Sequence, residues 1–227
     1  MTTSSKIMSY AERMREFSRA QILSDVVSDG ISAHTLDCAL SRLVSSKKIS
    51  RDENGKYTIL DESTFRIVLT DIEHKVAEWM ASEFPFMKYS LYNGQTLSPI
   101  QHHLSYNTIT YLEVDRWDTQ TVFDRLRQSD LNLPVYLCPD SDFIYNYIDL
   151  DKPGIVVKRL ISEAPLQTID GICVPTLEKL LIDIQADPEL SYLSGAEASY
   201  MMDNARALYT LKDTRLRRYA KRRSIEL

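Results

Sequence analysis

The sequence predicts an α+β protein, with an N-terminal winged helix-turn-helix followed by a C-terminal α/β domain. Three short amphipathic helical stretches fill the first 45 residues. A pair of alternating segments flanks Asn54-Gly55, and beyond Pro85 strand-like and helix-like stretches alternate to the C-terminus. Helices then a hairpin is the order of a winged helix; alternation of strand and helix periods is the mark of an α/β layer. On this reading residues 1–62 form the winged helix-turn-helix. Residues 63–84 form a connecting amphipathic helix, and residues 85–227 form the α/β domain, which ends in a basic helix.

The first helix is expected from about Ser5 to Phe17, where Ile7, Tyr10, Ala11, Met14 and Phe17 recur at helical spacing. Ser18 is a natural N-cap for a second helix, with Ile22, Leu23, Val26 and Val27 turned inward. Asp29-Gly30 breaks the chain. Ser32 caps a third helix whose buried stripe is Leu36, Ala39, Leu40, Leu43 and Val44. The stretches 47–51 and 56–60 alternate in polarity about Asp52-Glu53-Asn54-Gly55, and Asn-Gly signals a tight hairpin turn. A further helix is expected over Asp71–Phe84, on the apolar side formed by Ile72, Val76, Trp79, Met80 and Phe84. Strands follow near 88–92, 108–114, 134–137, 155–159 and 171–174, and helices near 98–103, 119–128, 175–184, 190–209 and 214–223. Asp118 and Thr176 read as helix-start residues and Pro175 as a first-turn proline.

Composition narrows the function classes. Of 227 residues, 44% are hydrophobic and 26% charged, an ordinary globular balance that excludes a disordered or fibrous chain. No apolar run reaches the ~18–20 residues of a membrane helix, and the N-terminus lacks a secretory pattern. Cys38, Cys138 and Cys173 are odd in number and far apart, so neither a disulfide framework nor a cysteine zinc module is expected. These features point to a soluble cytoplasmic protein without a membrane partner or a cofactor. The net charge of −5 is unevenly spread. Residues 1–60 carry 9 basic against 7 acidic side chains, residues 61–211 carry 11 against 23, and residues 212–227 carry 7 against 2. Only the two ends are suited to face a polyanion.

With its apolar stripe buried, the third helix turns Ala33, His34, Thr35, Asp37, Cys38, Ser41, Arg42 and Ser45 outward. A recognition helix reads base edges mainly through its first turn, so Ala33, His34, Thr35 and Asp37 are the expected readers, with Ser41 and Arg42 further along. Arg42 can pair bidentately with guanine or hold a phosphate. Asp37 can accept from a cytosine amino group or repel phosphate. Lys47, Lys48, Arg51 and Lys56 on the hairpin side suit phosphate contacts. Arg215, Arg218 and Arg222 share a stripe of the terminal helix, which makes them a possible second basic surface; a solvated helix favoured by its own macrodipole, or pairing with the acidic middle of the chain, fits them equally.

The segments FSRAQIL, ISAHTLDCALSRLVSSKKISRDENGKYTI, VDRWDTQTVFDRL, PTLEKLLIDI and LRRYAKRR occur in that order along nearly the whole chain. In this the protein resembles the AbiEi-like antitoxins of abortive-infection (type IV) toxin–antitoxin systems and related transcriptional regulators. The resemblance implies a winged helix that binds double-stranded operator DNA of its own operon as a monomer or DNA-assembled dimer. It also implies an α/β domain of degenerate nucleotidyltransferase-like topology. The partner in function is a nucleotidyltransferase-like toxin, countered without a stable complex.

Two other functions are open to these residues. Glu113 and Asp115 lie two apart in an expected strand and would share a face, half of a carboxylate site for Mg²⁺ and a nucleoside triphosphate. Asn93-Gly94-Gln95-Thr96 falls where a phosphate-cradling turn belongs, but without the Gly-Ser pair, and no third carboxylate is assignable; Asp183 reads as part of a packing helix. His102 and His103 are adjacent, so one helix face cannot present both to a metal, and no metal site is expected. The protein is therefore read as a regulator rather than an enzyme. A protein-interaction module built on the same winged helix is the third option.

Overall fold

A computed structural model describes residues 2–27, 31–46, 48–52, 54–59, 64–103 and 106–226. Asp29, Gly30, Lys47, Glu53 and Leu60, all used in the sequence reading, lie outside the described residues, and of Val26 and Val27 only the backbone is described. The architecture is mixed α/β, of α+β type. It divides into two compact units: residues 1–64 together with 167–171, and residues 65–166 together with 172–227. The amphipathic helix read as a connector falls within the second.

The first unit opens with α1 (Thr3–Met14), capped by the Thr2 hydroxyl on the Ser5 amide. The helix stops three residues short of Phe17 because Arg15 turns to φ +58 and the chain becomes strand β1 (Glu16–Ser18). Phe17 is buried as expected, but from a strand: its ring stacks on Tyr57 at 5.6 Å and meets Tyr10 edge-on at 5.3 Å. Ser18 does cap α2 (Arg19–Val27), accepting from the Gln21 amide while Gln21 Oε1 accepts from the Ser18 amide. Ser32 caps α3 (Ala33–Ser45) through the Thr35 amide at 3.1 Å. Strands β2 (Ile49–Arg51) and β3 (Lys56–Ile59) pair antiparallel with Ile49 opposite Ile59, and β1 adds to the far side of β3 in the order β1-β3-β2. Their turn is not the two-residue one that Asn-Gly suggested. Asp52 and Lys56 close a three-residue loop, Asp52 Oδ1 accepts from the Asn54 and Lys56 amides, and Gly55 supplies the left-handed residue at φ +75. Ile7, Ala11, Phe17, Ile22, Leu36, Leu40 and Ile49 form the core. Burying such side chains stabilises the unit by about 1.5–3 kcal/mol each.

The second unit begins with α4 (Asp71–Glu83), whose Thr70–Glu73 capping box also ties it to the sheet: buried Glu73 accepts from Asn93 at 2.9 Å and from Thr110. Strands β4 (Tyr89–Asn93), β5 (Ile109–Val114), β6 (Val135–Leu137) and β7 (Gly154–Arg159) form a sheet of order β4-β5-β7-β6, with β4 antiparallel and the other three parallel. Every residue of β5 is buried, as a strand covered on both faces requires. Helices α5 (Thr119–Leu126) and α6 (Ser141–Tyr147) separate β5, β6 and β7. Strand β8 (Leu166–Ile169) is joined to β9 (Ile172–Pro175) through Asp170 and Gly171, both at positive φ; residues 167–171 of this stretch belong to the first unit and β9 to the second. Helices α7 (Leu177–Ala186), α8 (Ala196–Leu208) and α9 (Asp213–Arg223) complete the chain.

Two expected helices differ. In place of 98–103 there is a 3-10 segment, Gly94–Ile100, which ends before the histidines. The stretch 190–209 is split into a 3-10 segment, Pro188–Leu193, and α8, because Gly195 takes φ +72 between them. Pro175 ends β9 and precedes the Thr176 N-cap instead of entering the helix.

Candidate functional site

The outer face of α3 is built by the burial of the inner one. Leu36, Leu40 and Leu43 are sealed in the core, and this fixes the rotation that leaves Ala33, His34, Thr35, Ser41 and Arg42 exposed. Among the described residues Arg42 has no side-chain partner, so its guanidinium is available to a ligand. The Asp37 side chain is solvent-accessible but occupied: Arg19 of α2 binds it bidentately, Nε to Oδ1 at 2.6 Å and an Nη to Oδ2 at 2.9 Å. Both Asp37 carboxylate oxygens are thereby occupied and its negative charge is paired. His34 Nε2 lies 3.8 Å from Cys38 Sγ, one helical turn on.

On the hairpin, Lys48 is exposed, Arg51 lies over the Tyr57 ring at 5.7 Å, and Lys56 pairs with Glu16 on β1 at 2.8 Å. Lys56 therefore carries a screened charge, and Arg42, Lys48 and Arg51 are the described cations of this face best placed for phosphate. Lys47 lies outside the described residues.

The terminal basic stripe is turned toward its own unit. Arg215 approaches Glu178 at 3.8 Å, Arg218 approaches Glu163 at 3.8 Å, and Arg222 Nε donates to Ser162 Oγ at 2.7 Å. Arg215 and Arg218 thus approach acidic side chains from the middle of the chain, whereas Arg222 meets a serine; Arg218 and Arg222 remain exposed.

The expected pair Glu113 and Asp115 is not brought together. Strand β5 ends at Val114, and Asp115 lies in an exposed turn where its Oδ1 accepts from the Trp117 amide. Glu113 instead points into a buried ion network that the sequence did not disclose. Lys179 Nζ lies 2.6 Å from Glu113 Oε1 and 2.6 Å from Asp183 Oδ2. Lys158 Nζ binds Asp187 and Glu189, and stands 3.6 Å from Glu113. Arg223 reaches Asp183 at 3.2 Å and also binds Asp187, while Tyr219 Oη donates to Asp183 Oδ1 at 2.9 Å. Carboxylate oxygens of Glu113, Asp183 and Asp187 converge to within 4.8 Å of one another. Positive side chains fill the space between them.

Electrostatics in this network follow from burial against pairing. Burial alone would raise the Asp187 carboxyl, but Lys158, Arg223 and Lys179 outweigh it and hold it down at about 2. For Asp183 burial wins: its pKa is raised despite Lys179, with Asp187 and Glu113 adding to the rise. Burial opposes the charge on Lys158 and Lys179, yet the surrounding acidic groups raise both. The phosphate-cradling turn proposed at Asn93–Thr96 is closed. A Cβ on Gly94 would stand 2.1 Å from the Asn107 side chain, which donates to Tyr111 and Tyr192 hydroxyls at 2.9 Å each. The Lys179–Asp183 spacing inside the apolar run Leu-Leu-Ile-Asp-Ile was the one sequence signal of the network.

Residues 35–227 match the model of DUF6577, a family of unknown function. The chain belongs to that family. The match takes in α3 from Thr35, the β2–β3 hairpin and the second unit's elements, so Thr35, Ser41 and Arg42 of the exposed helix face and the whole ion network lie within it, while Ala33 and His34 precede it. No curated protein matches the chain. Among the described residues no helix is long and apolar enough to cross a membrane.

Proposed function

We propose that the protein is a sequence-specific DNA-binding transcriptional regulator, the antitoxin of a type IV toxin–antitoxin system that represses its own operon. The carrying observation is the exposed outer face of α3, with Arg42 unpartnered among the described residues and Asp37 neutralised by Arg19. The order α1, β1, α2, α3, β2, β3 supports reading the first unit as a winged helix-turn-helix, with α3 in the ~12 Å major groove and the β2–β3 wing beside it. Ala33, His34 and Thr35 read base edges, Ser41 and Arg42 follow along the groove, and Lys48 and Arg51 position the duplex through phosphate. The partner is double-stranded operator DNA, bound by a monomer or by a dimer that forms on it. A nucleotidyltransferase-like toxin is the functional counterpart, held in no stable complex.

The α/β domain is read as non-catalytic, with a degenerate nucleotidyltransferase-like topology. Metal-assisted nucleotidyl transfer needs carboxylates free to hold Mg²⁺. Here Glu113, Asp183 and Asp187 converge but are bound by Lys158, Lys179 and Arg223, and Asp115 stands apart from them. A gel-shift titration on DNA upstream of the operon tests the proposal. Arg42→Ala is expected to weaken the specific complex by ~1–3 kcal/mol. Binding of that variant equal to wild type contradicts the assignment.

A further inference from the structure

We propose that His102, His103 and Glu197 form a Zn²⁺ site with three protein ligands and an open fourth position. Adjacent residues of an α-helix diverge by about 100°, which is why the expected helix over Ser98–His103 kept these rings apart. The 3-10 segment ends at Ile100, and the bend at 102 and 103 turns both rings to one side. His102 Nδ1 and His103 Nε2 come to 3.0 Å, and the ring centres to 4.3 Å.

The third ligand comes from the first turn of α8. Glu197 Oε1 accepts from the His102 amide at 2.7 Å, which aims the carboxylate at the histidine pair. A Glu197 oxygen and one nitrogen of each ring lie within 4.8 Å of one another. The same face of α8 holds the loop at two further points. Tyr200 packs against the His102 ring at 4.9 Å, and Asn204 Nδ2 donates to the Ile100 carbonyl at 3.2 Å. Residues 197, 200 and 204 are spaced to share that face.

Two imidazoles and one carboxylate suit Zn²⁺. Zn–N bonds of ~2.0–2.1 Å at a tetrahedral angle set the nitrogens about 3.3 Å apart, a few tenths of an ångström wider than they stand. Without metal, a contact of 3.0 Å between two ring nitrogens requires a proton between them, and Zn²⁺ takes that proton's place. Both histidines are exposed, so an ion has a path in and water can fill the fourth position. The His34–Cys38 pair offers only two donors, and serves as the internal comparison.

The test is a Co²⁺ titration of the full-length protein, followed by visible absorption, with Zn²⁺ as competitor. One equivalent of Co²⁺ is expected to give a tetrahedral spectrum free of thiolate charge transfer, and Zn²⁺ to abolish it. His103→Ala and Glu197→Gln are each expected to weaken binding at least about tenfold, and His34→Ala to leave it unchanged. Zn²⁺ is likewise expected to raise the Tm of wild type and not of His103→Ala, an exposed substitution that leaves the core untouched. No tetrahedral spectrum in wild type, a spectrum that depends on His34 or Cys38, or wild-type affinity in His103→Ala overturns the site.

Discussion

Arg19 and Asp37 form a bidentate ion pair across the two helices that would meet DNA, with both N–O contacts under 3 Å. Hydrogen bonding from Arg19 is the main cause that holds the Asp37 carboxyl below its ordinary range. The pair is solvent-exposed, so it adds little to stability; its consequence is to cancel a negative charge on the face offered to phosphate.

Arg19→Ala is expected to leave Tm nearly unchanged and to weaken DNA binding roughly fivefold, the scale of one uncompensated charge near phosphate in water. Asp37→Ala added to Arg19→Ala restores most of the loss. Anisotropy titrations of the two single variants and the double variant measure the coupling directly.

Lys179 lies between two buried carboxylates, and removing it leaves both without their shared cation. Lys179→Met is expected to destabilise the protein by about 3–5 kcal/mol, while Lys179→Met combined with Glu113→Gln is milder because less charge is stranded. Urea unfolding of the two variants checks the order.

The pH dependence separates two aspartates. Asp187, held at about 2, contributes stability that is complete above the ordinary carboxylate pKa and is lost as pH falls from about 4 toward 2. Its size is about 2 kcal/mol. Asp183 has the opposite sign: its raised pKa means the folded state takes up a proton first, so stability grows as pH falls from that raised value down to the ordinary carboxylate pKa. The Tm is expected to hold or rise slightly on mild acidification, then drop below pH about 4. Asp183→Asn removes the early rise, and Asp187→Asn removes the late drop. A monotonic decline from pH 7 in both variants contradicts this division.

The helices of the first unit were legible because their apolar stripes repeat at 3.6 residues and Ser18 and Ser32 mark their starts. Strand β1 was not, since three residues are too few to show alternation and Phe17 also fitted the period of α1. Helix α6 was missed because it buries only Ile144 and leaves Tyr145 and Tyr147 outward, so it has no stripe. At the candidate interface the exposure of Arg42 followed from the pattern, but the neutralisation of Asp37 did not. Its partner lies 18 residues away on another helix, and nothing local announces it. The ion network was hidden for the same reason: Glu113 of β5 meets Lys179 of α7 across 66 residues, a pairing that nothing local announces. The Gly94 turn was read by its composition, and the side chain that closes it, Asn107, comes from beyond the turn.

The most direct test of the central claim is an equilibrium titration of upstream operon DNA at several salt concentrations, wild type against Arg42→Ala. The account predicts specific binding whose log K falls linearly with log salt, at a slope near −0.9 per phosphate contact, and an Arg42→Ala complex weakened on operator far more than on unrelated DNA. Binding that ignores salt, or an Arg42→Ala titration that overlays wild type, contradicts it.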